Sequence, residues 1–264
     1  MTLSSNGHVD LLREAPVGRH FAQLHKDSQA LANSVSIFVT NGLRRGDGVV
    51  VVAPASRNNM YLSPLSTEER EGYLRTGQLA LFDSQAMLNR IMLGGMPEWA
   101  EFRATVGPVI EKAKLCGGPN TRVYGEMVND LWRAGNTGAA IQLEEYWNQL
   151  ARIYKFCLFC GYQMDSLDER SYATPITDIG RTHSDILETI DDEQIYRAVD
   201  AASRAILGIP VSRLVNCNDC VDQGEQKISK GQQAILWLQK NMPDSIPQIL
   251  ARAREIHSIK PITA

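Results

Sequence analysis

Two carboxylates carry most of the chemical promise of this chain. Glu126 lies in Tyr124-Gly-Glu-Met, and Asp83 directly follows Gln78-Leu-Ala-Leu-Phe82. Each occupies the position just after an expected strand. If those strands are parallel near-neighbours, both acids reach one sheet edge, where open α/β sheets take their ligands. Such a pair would orient a polar ligand or hold a cation. The competing reading is that each acid caps the helix behind it. His20 and His25 stand in Arg19-His-Phe-Ala-Gln-Leu-His25. On a strand that spacing turns them to opposite faces, so they make a poor metal pair. Hydrogen-bonded structural histidines are expected, with a ligand-contacting His20 as the sharper alternative.

Among the five cysteines are two CxxC pairs. Phe156-Cys-Leu-Phe-Cys160 reads as an apolar core strand, in which thiols behave as small buried hydrophobes. Cys217-Asn-Asp-Cys220 lies in a polar, turn-rich segment. It would hold zinc only with two further ligands, from Cys116, His183, His257 or a second subunit. Inert thiols and no cofactor are the expectation. Trp132, Tyr146 and Trp147 flank the Gly135-Asn136 turn. They read as core, or as the wall of an apolar pocket beside Glu126. No GxxxxGK[ST], GxSxG or HExxH occurs, so a standard nucleotide hydrolase, serine hydrolase or zinc protease is not indicated. The chain is expected not to be an enzyme.

The elements that position these residues alternate. Leu31, Val35, Phe38 and Val39 recur at helical spacing before Arg44-Arg45-Gly46. Gly48-Val-Val-Val-Val-Ala53 is a β-branched run suited to a strand covered on both faces. Further strands are expected at 78–82, 122–124 and 156–162, with helices at 85–93, 99–114 and around Leu143 and Trp147. Alternation with long crossovers predicts a three-layer α/β domain with a mostly parallel sheet over residues 18–165. Residues 1–17 read as a mobile leader and 166–190 as a linker. An all-α extension follows over 191–264, broken at Pro243 and Pro247.

Bulk properties narrow the function. The chain has 264 residues, 44% hydrophobic and 22% charged, as in globular domains. A net charge of -3 makes no case for direct binding of nucleic acid. No apolar run reaches the roughly 18 residues of a membrane span. No signal-peptide pattern opens the chain, so a cytoplasmic location with reduced thiols is expected.

Several short motifs together resemble one family. They are His20-Phe21, the strand from Gly46 to Pro54, Thr76-Gly-Gln-Leu79 with Phe82-Asp83, Gly95-Met-Pro97, Tyr124-Gly-Glu-Met-Val128, Leu131-Trp132, Gly135-Asn136, Leu143-Glu-Glu145, Trp147-Asn148 and Cys160-Gly-Tyr162. The stretch 18–190 is similar to the MEDS domain, the methanogen/methylotroph sensory domain of a dichloromethane-responsive regulator. The resemblance implies a non-catalytic sensory domain for small hydrocarbon derivatives, RecA-like without its phosphate loop. It implies a sensor kinase or transcription regulator as partner, and a ligand site at His20, Asp83, Glu126, Trp132 and Glu144. Leu24-His25 departs from the aromatic pair common in the family, and residues 191–264 are not its usual ending. A homodimer is a further expectation. The alternatives are a degenerate RecA-like nucleotide-binding regulator and a scaffold acting only by protein contacts.

Overall fold

Six short apolar runs become the strands of one sheet in the computed structural model, which describes residues 5–26, 28–118, 120–172, 176–215 and 227–258. They are β1 (His20–His25), β2 (Gly48–Val52), β3 (Leu79–Phe82), β6 (Thr121–Gly125), β7 (Cys157–Gln163) and β8 (Asp185–Leu187). A separate antiparallel ribbon joins β4 (Met92–Leu93) to β5 (Met96–Pro97). Gly94 and Gly95 turn it at positive φ, a conformation glycine adopts without a side-chain clash. The main sheet has the order β3-β2-β6-β7-β1-β8. Every pairing in it is parallel.

Helices cover both faces, as a parallel sheet requires. α1 (Ser5–Glu14) and α2 (Ser28–Arg44) precede β1 and β2 respectively; α3 (Asn58–Tyr61) and α4 (Thr67–Thr76) link β2 to β3. α5 (Ser84–Ile91) and α6 (Trp99–Cys116) lead towards β6, and α7 (Met127–Arg133) and α8 (Thr137–Tyr154) join it to β7. On one face, α2 sets Val35, Phe38 and Val39 against Val49, Val51, Tyr124 and Phe159. On the other, Trp147 of α8 meets Phe102 of α6 edge-on at 4.9 Å and Phe156 at 6.2 Å. The three-layer α/β reading therefore holds.

One charged side chain crosses the α2 face of the core. Arg122 is wholly buried, and its Nε donates to Asp47 at 2.7 Å. Its terminal nitrogens donate to the carbonyls of Leu12, Arg13 and Phe38 at 2.9–3.1 Å. Gly42 makes room for it: a Cβ there would lie 2.6 Å from Arg122 Cδ. The segment expected as a mobile leader thus contains α1, with Leu12 and Ala15 buried and its last carbonyls bound by Arg122. The sequence of α1 alone gives no sign of this partner, which lies more than a hundred residues away.

The described chain forms two compact units. The first runs up to Gln163 and takes in Thr182–Leu187; the second comprises Met164–Arg181 and the chain from Glu188 onward. The expected linker over 166–190 is therefore divided, because Ile186 and Leu187 are buried as part of the sheet. The second unit contains α9 (Ile176–Thr182), whose last residue belongs to the first unit, then α10 (Ile190–Leu207), α11 (Lys230–Asn241) and α12 (Ile246–Ser258). Asp192 boxes the start of α10 and Gln232 that of α11. Pro243 separates the last two helices, while Pro247 sits in the first turn of α12, where proline is tolerated. Cys217 and Cys220 lie outside the described residues.

Candidate functional site

Beside the Arg122–Asp47 pair, two further buried polar groups lie in the first unit. The first is at the carboxyl ends of β2 and β6. These strands are neighbours, yet the chain leaves β2 towards β3 and leaves β6 towards β7, on opposite sides. Such a divergence opens the crevice where open α/β sheets bind ligands. Glu126 follows β6 and is completely buried. It does not cap α7. Arg57, from the short 3-10 turn Ala55–Arg57 behind β2, donates to one carboxylate oxygen, and the Tyr61 hydroxyl donates to the other. Tyr124 packs edge-on against Tyr61 at 5.3 Å. Burial raises the Glu126 carboxyl above its usual range, and the hydrogen bond from Tyr61 and the charge of Arg57 offset only part of that rise. Asp130, one helical turn on, is also raised by burial and accepts from Ser84 at 2.6 Å.

The second group lies beneath α8, on the face opposite α2. The parallel register pairs His20 with Leu158 and Ala22 with Cys160, so His20, Cys160 and Tyr162 share one face. Glu144 of α8 comes down onto them. One of its oxygens lies 3.2 Å from His20 Nε2 and the other 3.2 Å from His183 Nε2. Cys160 Sγ lies 3.4 Å from His20 Nε2 and 3.6 Å from Glu144, and the Tyr162 hydroxyl donates to Glu144. The two imidazoles stand 4.0 Å apart between centroids. All five residues are buried. Burial alone would raise Glu144, but the charges and hydrogen bonds of His183 and His20 outweigh it and hold the carboxyl well below its usual range. Burial, reinforced by His183, lowers His20.

A family model described as MEDS, the "MEthanogen/methylotroph, DcmR Sensory domain", matches residues 19–184. The chain belongs to the MEDS family. This is a sensory domain family, and the resemblance read from the short motifs is borne out. The matched stretch opens one residue before His20 and closes one residue after His183, so it takes in both polar groups. No curated protein and no solved structure matches the chain.

The five residues assigned to the MEDS ligand site do not converge on one point. His20 and Glu144 meet in the second group, and Trp132 packs edge-on against its Tyr162 at 5.6 Å. Glu126 anchors the first group. Asp83 caps α5, accepting from Ala86 N at 2.9 Å, and also accepts from Ala55 N at 3.3 Å, which ties down the turn carrying Arg57. The capping reading is right for Asp83 alone. Trp147 is core, as one of its two readings had it. Cys157 and Cys160 do face opposite ways, but only Cys157 sits in an apolar cluster; Cys160 faces a carboxylate and an imidazole. Arg57 and Tyr61 carry no signal in the sequence reading, and Asn148 enters it only within the Trp147-Asn148 motif. His183 was offered only as a partner for Cys217 and Cys220.

The raised Glu126 carboxyl has a measurable consequence. Its folded-state pKa lies above the unfolded value near 4.5, so its stabilising contribution is complete below that value. The contribution is lost as pH rises through the folded pKa. Stability of the MEDS unit from this group therefore falls from acid towards neutral pH. Urea midpoints measured across that range should decline less steeply in Glu126→Gln; an unchanged slope would remove Glu126 as a source.

Proposed function

We propose that this chain is a non-catalytic sensor that takes a small, weakly polar molecule, such as a short hydrocarbon derivative, into the crevice between β2 and β6. The observation that carries the reading is a buried Glu126 at a topological switch point, held by Arg57 and Tyr61. Arg57 is the partly exposed member, its side chain 19% accessible against none for Glu126. A ligand that competes for Arg57 or for the Tyr61 hydroxyl alters how the β2–α3 turn is held, and populations shift towards the turn conformation it prefers. Output passes to a signalling protein, such as a sensor kinase or transcription regulator, or to a second copy of the chain. No helix among the described residues is long and apolar enough to cross a membrane, and a cytoplasmic setting suits the reading.

Thermal shift of the full chain with dichloromethane, methanol and related one- and two-carbon compounds tests this. A saturable rise in Tm is expected for at least one, and its apparent affinity should fall about tenfold or more in Arg57→Ala, the loss of one good polar contact. No shift with any compound, or equal affinity in Arg57→Ala and Glu126→Gln, would overturn the assignment. A saturable shift with Mg-ATP would instead favour the nucleotide-binding regulator.

A further inference from the structure

We propose that His20, Glu144, Cys160 and His183 form a binding site for one divalent transition-metal ion, with zinc as the best fit. The proposal is independent of the ligand reading at Glu126. Four different elements supply the ligands: β1, α8, β7 and the turn before β8. The ligand atoms all lie within 4.8 Å of one another. In a tetrahedral zinc shell, with metal–nitrogen and metal–oxygen bonds of about 2.0 Å and metal–sulfur of about 2.3 Å, neighbouring ligand atoms stand about 3.3–3.5 Å apart. One Glu144 oxygen, His20 Nε2 and Cys160 Sγ make three edges close to that size, at 3.2 Å, 3.4 Å and 3.6 Å, while His183 Nε2 lies 3.2 Å from the other oxygen of the same carboxylate.

The hydrogen-bond polarity around the cluster points the same way. Asn148 Nδ2 donates to the Thr182 carbonyl at 2.8 Å, and a carbonyl can only accept. That fixes Asn148 Oδ1 as the atom 3.0 Å from His20 Nδ1, so Nδ1 must carry the proton. In neutral His20 the Nε2 lone pair then faces a carboxylate oxygen and a sulfur. A nitrogen lone pair facing a carboxylate oxygen at 3.2 Å, out of contact with water, is unfavourable unless a proton or a metal cation sits between them, and a divalent ion also engages the sulfur. His183 likewise turns Nε2 towards Glu144, with Nδ1 beside the Thr182 hydroxyl at 3.1 Å, a group that can serve either tautomer. A ligating histidine with its other nitrogen bound by an oriented polar group is the usual support of a metal site. The charges also balance, since one carboxylate and one thiolate neutralise a divalent ion, which favours burial. Binding releases the Cys160 proton to solvent, because the thiolate is the ligand. Four protein ligands close the shell, so the ion fastens residues 182–187 to β1, β7 and α8 rather than presenting an open position to substrate.

The test uses the full chain, stripped of metal and titrated with cobalt(II). One equivalent should bind, with a visible tetrahedral d–d band and a near-ultraviolet thiolate-to-cobalt transition. Cys160→Ser, nearly isosteric, should keep a visible band and lose the thiolate transition. Asn148→Ala, which touches no metal, should weaken binding about 10–100-fold. A Cys217→Ser/Cys220→Ser protein should be unaffected. Circular dichroism establishes that each variant is folded. Absence of cobalt binding by the folded wild type would overturn the proposal. So would a thiolate transition that survives Cys160→Ser and disappears in the Cys217→Ser/Cys220→Ser protein.

Discussion

Asp47→Ala will destabilise the MEDS unit by about 3–5 kcal/mol, the usual cost of leaving one member of a buried ion pair without its partner. Arg122 has no solvent to turn to: both side chains of the pair are buried. Its three carbonyl partners would remain, but its charge would be uncompensated. Arg122→Met combined with Asp47→Ala should cost less than Asp47→Ala alone, because an apolar side chain of similar length removes the stranded charge. Urea unfolding followed by tryptophan fluorescence in a Trp237→Phe background reads the first unit alone, since Trp99, Trp132 and Trp147 all lie there. Additive costs of the two substitutions would show that Asp47 and Arg122 act separately.

The second large effect is expected at Trp147. Trp147→Ala should cost about 3–5 kcal/mol, as removal of a large buried aromatic does. Trp147→Phe should cost far less than its lost volume suggests. The indole nitrogen is buried without a hydrogen-bond partner, and phenylalanine removes that unsatisfied donor. The edge-on contact with Phe102 can be kept by the smaller ring. The same urea measurement separates the two variants. A Phe variant as unstable as the Ala variant would show that shape, not polarity, decides the site. Trp147 stands beside Asn148 and three residues after Glu144 on one helix, so loss of the indole should also disturb the second polar group.

Most of the fold could be read from local pattern. The Val49–Val52 run and Phe156–Tyr162 are strands because β-branched and aromatic residues suit a sheet buried on both faces, and helical spacing marks α2. β1 was harder, since His20, Gln23 and His25 interrupt its apolar pattern; all six of its residues are nonetheless buried. β8, at three residues, is too short to carry a period. The site was legible in part. Glu126, His20 and Glu144 were visible through their position or the resemblance. Arg57 was not, because it lies in a turn with no periodicity, and its role depends on the β2–β6 pairing. Cys160 was misjudged because its neighbours in sequence are apolar, while its neighbours in space are brought by other elements.

The position of β1 sets a timetable for the growing chain. Its only neighbours in the sheet are β7 and β8, both made long after it. While the ribosome adds the next hundred and more residues, β2, β3 and β6 have partners among themselves, but β1 has none. Sheets that depend on such distant pairings form slowly and leave strand edges exposed meanwhile. A nascent chain halted before Cys157 carries β1 with both edges bare, and one halted before His183 lacks the last residue of the second polar group. Birth of the sensor is therefore a late event, completed near the end of the matched family stretch rather than built up steadily from the N-terminus.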